Sequence, residues 1–118
     1  MKLIFKKESL MNGINIVSKA IPSKTTMNIL ECILIDASAD EIKLTGNDME
    51  LGIETTVEGS ISERGRIALE AKIFSDIIRK LPDSDSDVII FSDEHFNTTI
   101  KCDYAVFEIQ GRDPQEYS

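Results

Sequence analysis

The chain has few of the residue types that catalyse reactions or bind transition metals. Its 118 residues include no tryptophan, one histidine and two cysteines, and 13 lysines and arginines stand against 21 acids, for a net charge of −8. No apolar run approaches the roughly 20 residues that cross a bilayer. The opening MKLIFKKESL is too charged for the apolar core of a signal peptide, so we expect none. With 42% hydrophobic residues, the composition is that of one globular domain with a hydrophobic core.

The two cysteines, Cys32 and Cys102, lie far apart, each within an apolar, strand-like stretch. Thiols in such positions, in a chain with no recognisable secretory signal, are typically buried and reduced. We therefore expect two free, buried thiols and a cytoplasmic location.

The single histidine, His95, lies in the polar stretch SDEHFN between two apolar runs, which is typical of a surface turn. The sequence contains no glycine-rich phosphate loop, no HExxH motif and no nucleophile at a recognisable spacing from a base. It therefore predicts no catalytic residue, no cofactor and no enzyme.

The stretch DSDSDVIIFSDE, residues 83–94, resembles a calcium-binding loop. Its acids Asp83, Asp85, Asp87 and Glu94 occupy positions 1, 3, 5 and 12 of that template. The template requires glycine at position 6 for a sharp turn, but Val88 stands there and begins an apolar run. We expect a solvated acidic turn and no metal site.

Apolar spacing predicts two helices of similar length. In 9–21 and again in 72–81, apolar residues recur every three or four positions, which is the spacing of one helix face. Pro22 and Pro82 follow, and the residue before a proline disfavours helical geometry, so both helices are predicted to end there. The predicted buried face of the second helix consists of Ile73, Phe74, Ile77, Ile78 and Leu81.

The strands predicted around these helices follow the same order twice. KLIF precedes the first helix and ECILIDAS, EIKLTG and LGIETTV follow it; RIALEA precedes the second helix and DVIIFS, TTIKCD and AVFEIQ follow it. The apolar face of the first helix also matches that of the second at an offset of 64, as Leu10, Ile14 and Val17 match Phe74, Ile78 and Leu81. The sequence therefore predicts an α+β domain of two βαβββ halves with pseudo-twofold symmetry, with the helices side by side on one face of antiparallel sheets.

Charge is distributed unevenly between the predicted elements. Of the 21 acids, only Asp76 lies within the two predicted helices. The predicted outward residues of the helices are Ser9, Asn12, Gly13, Asn15, Ser18, Lys19, Lys72, Ser75, Asp76, Arg79 and Lys80. If the helices share a face, that face is neutral to basic, and the acids at 83–87 are expected to lie away from it. The simpler alternative is that Arg79 and Lys80 only complement the negative end of their helix, by a few tenths of a kcal/mol.

Five segments in order resemble one known family: MKLIFKKESL, IVSKAIPSKTTMNIL, LTGNDMELGIE, IALEAKIFSDIIRKLP and RDPQEYS. Together they cover nearly the whole chain and are similar to the first domain of the bacterial DNA polymerase III beta subunit, the sliding clamp. One departure is Asn28, where the family usually has proline; this leaves the path of that loop open but not the resemblance.

The resemblance implies that residues 1–118 are one domain, the first of three, in a longer protein whose two protomers close into a ring around duplex DNA. Helices would line the hole of the ring, which therefore needs positive potential only on its inner face, while an acidic exterior discourages misplaced DNA. The residues implied for phosphate contact are Lys24 and Lys72, with Arg79 and Lys80 as weaker candidates.

The resemblance also implies protein partners. The first domain would meet the third domain of the other protomer through its sheet edge near the last strand and the second helix. The candidate contacts are Ile77, Phe107 and Ile109, although each of these is equally typical of a domain core. Clamp loader and polymerase would bind mainly on later domains. The alternative from another class is an acidic protein-interaction domain that does not bind DNA.

Overall fold

The computed structural model describes residues 1–22 and 25–117. Its elements, in chain order, are β1 (Lys2–Lys6), α1 (Lys7–Ser18), β2 (Cys32–Ala37), β3 (Ile42–Asn47), β4 (Gly52–Val57), β5 (Ser60–Glu63), β6 (Gly65–Glu70), α2 (Ala71–Lys80), β7 (Asp87–Ser92), β8 (Asn97–Cys102) and β9 (Ala105–Gln110). Short 3₁₀ turns span Asn28–Glu31 and Pro114–Tyr117. Within the described ranges, neither helix is long and apolar enough to cross a membrane.

The predicted helices and strands are present, with shifts at several ends. The first helix begins two residues earlier than predicted and ends at Ser18, three residues early. The chain then continues in turns, in which the N–H groups of Ala20 and Ile21 donate to the carbonyls of Val17 and Ser18. Because Pro22 disfavours helical geometry at the residue before it, the helix gives way to turns before reaching the proline. Asn28, the departure from the family pattern, begins a 3₁₀ turn and is exposed.

The two βαβββ halves exchange their first strands. One sheet has the order β5-β1-β7-β8-β9 and the other has the order β4-β3-β2-β6. Strand β1 of the first half therefore joins three strands of the second half, and β6 of the second half joins three strands of the first. All pairs are antiparallel. The predicted α+β fold with internal twofold symmetry is confirmed.

Strand β5 was not predicted, because it is four residues long and Ile61 is its only apolar side chain. It pairs with the outer edge of β1. The pseudo-symmetric edge, that of β6, receives only a single bridge, in which Ala68 and Arg112 exchange backbone hydrogen bonds of 3.4 and 2.9 Å. The segment after β9 is thus the shortened counterpart of β5.

The two helices lie in contact, as predicted, but they pack differently on their sheets. Helix α1 contacts β3 and β4 closely, whereas the contacts of α2 are mainly with β6 and α1. Gly13 permits the close approach of α1, since a Cβ there would lie 2.5 Å from Val57 Cγ2. Its counterpart 64 positions later is Ile77, whose large side chain is buried in the core. Gly13 is therefore buried, and its predicted place among the outward residues was wrong.

The main hydrophobic core lies between the helices and the two sheets, and the predicted burial of both thiols is confirmed. Cys32 and Cys102 are free, with 1% and 2% of their surface exposed. Burial raises the pKa of Cys32 to about 11, with a further contribution from Glu70, and burial likewise raises the pKa of Cys102. Only the thiolate is nucleophilic, so both cysteines are inert in the folded protein.

Labelling of Cys32 by a thiol reagent at pH 8 is therefore expected to be at least ~100-fold slower in the folded chain than in denaturant, since a thiol of pKa 11 is only about one-thousandth ionised at that pH. Labelling of Cys102 is expected to be slower as well, because burial restricts access to it and raises its pKa. Raising the pH toward 11 increases the thiolate fraction, so the labelling of Cys32 is expected to accelerate more steeply than that of a model thiol. Mass spectrometry of time-quenched samples measures both rates. Rapid labelling of the folded chain at pH 8 would contradict the packing described for these residues.

Candidate nucleic-acid interface

The sequence-predicted cations of α2 are all exposed. Lys72 lies in its first turn, and Arg79 and Lys80 lie in its last. Lys19, just after α1, is also exposed. The predicted exposure of these four side chains is confirmed.

The N-terminus of α2 explains why Lys72 can occupy the first turn. The Glu70 carboxylate accepts a 2.7 Å hydrogen bond from the backbone N–H of Ile73, which caps the helix. This negative charge offsets the unfavourable position of a lysine at the positive end of the helix dipole. At the other end, Arg79 and Lys80 are at positions where cations are favourable. Helix stability therefore accounts for two of the three cations of α2, but not for Lys72.

A groove of about 370 Å³ runs between the end of α1 and the surface of α2. Ser18 and Pro22 line one side, and Lys72, Asp76 and Arg79 line the other. Lys80 does not border it. Lys24, the fourth predicted DNA contact, lies outside the described residues.

The guanidinium of Arg79 is engaged within α2. Its two terminal nitrogens lie 3.3 Å from Asp76 Oδ1 and 3.0 Å from Ser75 Oγ. Elsewhere in the described ranges, Lys72 and Lys80 form no ion pair. The three predicted cations of α2 therefore differ in their pairing. Lys72 and Lys80 are in no ion pair within the described ranges, and Arg79 is partly neutralised by Asp76.

The acidic turn does not lie away from the helices, so that prediction was wrong. Lys7, at the start of α1, donates from Nζ to Asp83 Oδ1 at 2.6 Å and to the carbonyl of Leu81 at 2.7 Å. The chain leaving α2 therefore passes directly beside α1. Asp83 and Asp85 border an open cavity of about 660 Å³ along the first half of that helix. The exposed cations Lys19 and Lys72 lie instead at the end of α1 and beside the groove.

The calcium-loop template is broken up in the structure. Asp83 is bound by Lys7 and Asp87 by Lys6, and the run beginning at Val88 lies in β7 as predicted. Among residues 1–22 and 25–117, no three acidic, histidine or cysteine side chains are grouped as metal ligands. His95 is exposed in the turn between β7 and β8.

The candidate subunit-interface residues lie mostly in the core. Ile77 and Ile109 are buried, and only Phe107 is half-exposed. The apolar surface nearest to them in sequence is formed by residues that the sequence analysis missed, namely Ile73, Tyr104 and Val106, which are 49%, 99% and 55% exposed. Ile73 was wrongly placed on the buried face of α2, since it is at the border of the apolar stripe, where spacing alone is ambiguous. Strand alternation in AVFEIQ, which sets Val106 opposite to Phe107, was the available signal for Val106.

Strand β9, which carries Phe107 and Ile109, is the last strand of its sheet. It pairs with β8 on one side only. In the part of the chain that the structure describes, its second edge has no strand beside it. Strand β4 is the corresponding edge of the other sheet.

Comparison with known proteins agrees with this arrangement. The sequence model of the family described as DNA polymerase III beta subunit, N-terminal domain, matches residues 1–118. The beta sliding clamps of Halalkalibacterium halodurans and Staphylococcus aureus strain N315 are 35% and 38% identical over 99% of this chain, which covers 32% and 33% of their lengths.

Solved structures give the same result. A protein from Eubacterium rectale ATCC 33656, described as a DNA polymerase III beta subunit, superposes on the whole chain with a TM-score of 0.96 at 62% identity. The DNA polymerase sliding clamp of Bacillus subtilis does so with a TM-score of 0.93 at 34% identity. This chain covers 32% and 33% of those two proteins.

The duplicated two-sheet fold, with two helices in contact and cations exposed on one of them, is that of a DNA-clamp domain. The chain belongs to the family of the DNA polymerase III beta subunit, N-terminal domain. It spans about one third of the length of the relatives that it matches.

Proposed function

We propose that this chain is the first of three domains of a cytoplasmic sliding clamp, a non-catalytic ring that holds a replicative polymerase on duplex DNA. The observation that carries the proposal is the exposed, unpaired Lys72 beside the groove between two contacting helices, in a domain of this family. A lysine in the first turn of a helix is unfavourable for that helix. Phosphate binding supplies a reason for its position.

The charge distribution supports sequence-independent binding. The cations on α2 are presented by a helix surface with no element shaped to read base edges, so contact with phosphate is the chemistry available to them. Each phosphate contact releases condensed counterions, which makes the attraction sensitive to salt. A closed ring needs no tight contact, because its topology retains the DNA. The net charge of −8 keeps the rest of the surface repulsive toward DNA.

We further propose that β9 is the edge through which the domain meets another protomer. Its unpaired backbone groups can accept a further strand, and the half-exposed Phe107 and exposed Val106 flank that edge. Ile77 and Ile109 support the edge from within the core. Clamp loader and polymerase are proposed to bind on the later domains.

The DNA role is tested by reversing Lys24 and Lys72 to glutamate in the full-length protein. Loading on circular DNA and retention there are expected to fall, and the log–log salt dependence of binding is expected to become shallower by about 0.9 for each phosphate that is no longer neutralised. The matched comparison is between single reversals: Lys101→Glu makes the same charge change as Lys72→Glu, but at an exposed lysine of β8 on the sheet rather than on the helices. Equal effects from these two single reversals would contradict the proposal. Unaltered DNA retention with intact protein binding would instead favour an interaction domain that does not bind DNA.

A further inference from the structure

We infer that Asp76 is a positioning residue that restrains Arg79 and so keeps the contact of this groove with phosphate weak. The inference rests on the proposed DNA-binding function and assigns a regulatory role within that site. Asp76 is half-buried and borders the same groove as Lys72 and Arg79.

The position of Asp76 in the sequence of α2 places it among all three cations. Lys72 precedes it by four residues, and Arg79 and Lys80 follow it by three and four. Residues at these spacings are neighbours on a helix surface. Asp76 is therefore the one acid at the centre of a cationic face, where a negative charge opposes binding to DNA most directly.

The contacts of Arg79 are of the kind that a phosphate would replace. Its guanidinium reaches Asp76 Oδ1 at 3.3 Å and Ser75 Oγ at 3.0 Å. Both nitrogens that could form a bidentate pair with a phosphate are thus directed to groups of the same helix. Since the pair is exposed, with 60% and 47% of the two side chains accessible, the carboxylate and a passing phosphate compete on nearly equal terms.

This competition suits a ring that must move along DNA. A guanidinium released from Asp76 would bind each phosphate longer, whereas one that returns to Asp76 leaves the phosphate free. Removing the carboxylate is therefore expected to convert a transient contact into a persistent one, without any new residue in the groove.

The test titrates the 118-residue chain with a short DNA duplex of mixed sequence. Binding is measured from the changes in the chemical shifts of the backbone amides of α2. At about 10 mM salt, where the Debye length is about 30 Å, even a weak contact becomes measurable. Asp76→Asn is expected to tighten binding about threefold to fivefold, which is the upper part of the range of about 1.4-fold to fivefold that exposed ion pairs span. Glu41→Gln makes the same charge change at the opposite end of β3 from the groove and is expected to have a smaller effect.

A double-mutant cycle with Arg79→Gln separates restraint from general charge. If Asp76 acts through Arg79, the gain from Asp76→Asn falls to the level of the Glu41→Gln control in the Arg79→Gln background. A gain that persists in that background, or one that never exceeds the control, overturns the inference. A third variant, Lys72→Gln, tests the proposed DNA face independently of Asp76. If Lys72→Gln weakens DNA binding while Asp76→Asn leaves the affinity unchanged, the role inferred for Asp76 is wrong but the proposed DNA face is not. If Lys72→Gln also has no effect, the proposed DNA face is wrong.

Discussion

Replacement of Gly46 by alanine is expected to destabilise the domain by about 3 kcal/mol or more, the upper end of what overpacking costs. A Cβ at this position of β3 would lie 2.4 Å from the backbone oxygen of Val17 and 3.1 Å from Ile21 Cδ1. Alanine would by itself favour the folded state by about 0.4–1 kcal/mol, because it restricts the unfolded chain more than glycine does. The clash is the larger effect, since the atom in the way belongs to a backbone that has little freedom to move.

Two constraints prevent relief of that clash. The carbonyl of Val17 accepts a 3.0 Å hydrogen bond from the N–H of Ala20 in the turn that ends α1. On the other side, β3 is paired with both β2 and β4, so it cannot retreat without breaking a ladder.

The matched control is Gly52→Ala, because a Cβ at Gly52 meets no atom within 4 Å. Its effect is expected to stay within about 0.5 kcal/mol, as for most exposed substitutions. Urea unfolding of the two variants and of the unaltered chain gives the free energies of unfolding. Similar midpoints for the two variants would show that α1 and β3 do not approach as closely as described.

Replacement of Glu108 by proline is expected to abolish dimerisation of the full-length protein through β9, provided that the proposed ring is correct. The two-residue turn at Asp103 and Tyr104 joins β8 and β9, with Cys102 opposite Ala105. In such a hairpin the pair flanking the turn is hydrogen-bonded, so alternate residues of β9 bond to β8. The N–H of Glu108 therefore points to the free edge.

Proline at that position removes an outward donor and places its ring where an incoming strand would lie, but it spares the ladder to β8. The dimer dissociation constant is expected to rise at least ~100-fold, because several edge hydrogen bonds of about 1 kcal/mol each are broken together. Glu108→Ala removes the same carboxylate and keeps the N–H, so it is expected to leave the dimer largely intact.

Sedimentation of the two full-length variants measures the dimer constant, and thermal unfolding of the 118-residue chain checks the domain itself. A proline variant that remains dimeric while its domain unfolds normally would exclude β9 as the subunit edge. If the Glu108→Pro domain is unfolded, the N–H of Glu108 forms a hydrogen bond within the fold, contrary to the register of β8 and β9.

Local sequence pattern predicted the order and type of nearly every element. Periods of two and of about 3.6 mark strands and helices because they reflect which side chains share a face. Pro82 placed the predicted end of α2 within one residue of its end in the structure, which is Lys80. The exposure of Lys72, Arg79 and Lys80 followed from the same periodicity, because residues on the side of a helix opposite its apolar face usually point into solvent. The strand β5 carried too little apolar pattern to be recognised.

Tertiary structure alone decided which strands lie together. The apolar run KLIF predicts a strand, but it does not show that β1 pairs with β7 of the other half. The acidic turn at 83–87 likewise has the composition of a solvated loop, and only the position of Lys7 draws it against α1. The pairing of Arg79 with Asp76 is consistent with helical spacing, but its geometry depends on the two side-chain conformations.

The sequence by itself determined a duplicated α+β domain with exposed cations on its second helix and two buried thiols. The tertiary structure decided where the two halves cease to be equivalent. Gly13 lets α1 lie close to β4, while the matching position of α2 carries the large buried side chain of Ile77. Periodicity placed Ile77 inward and Gly13 outward, because it does not record how near the opposing strand lies. That distance is set by the volumes of side chains remote in the sequence, so it becomes known only when the two surfaces are packed together.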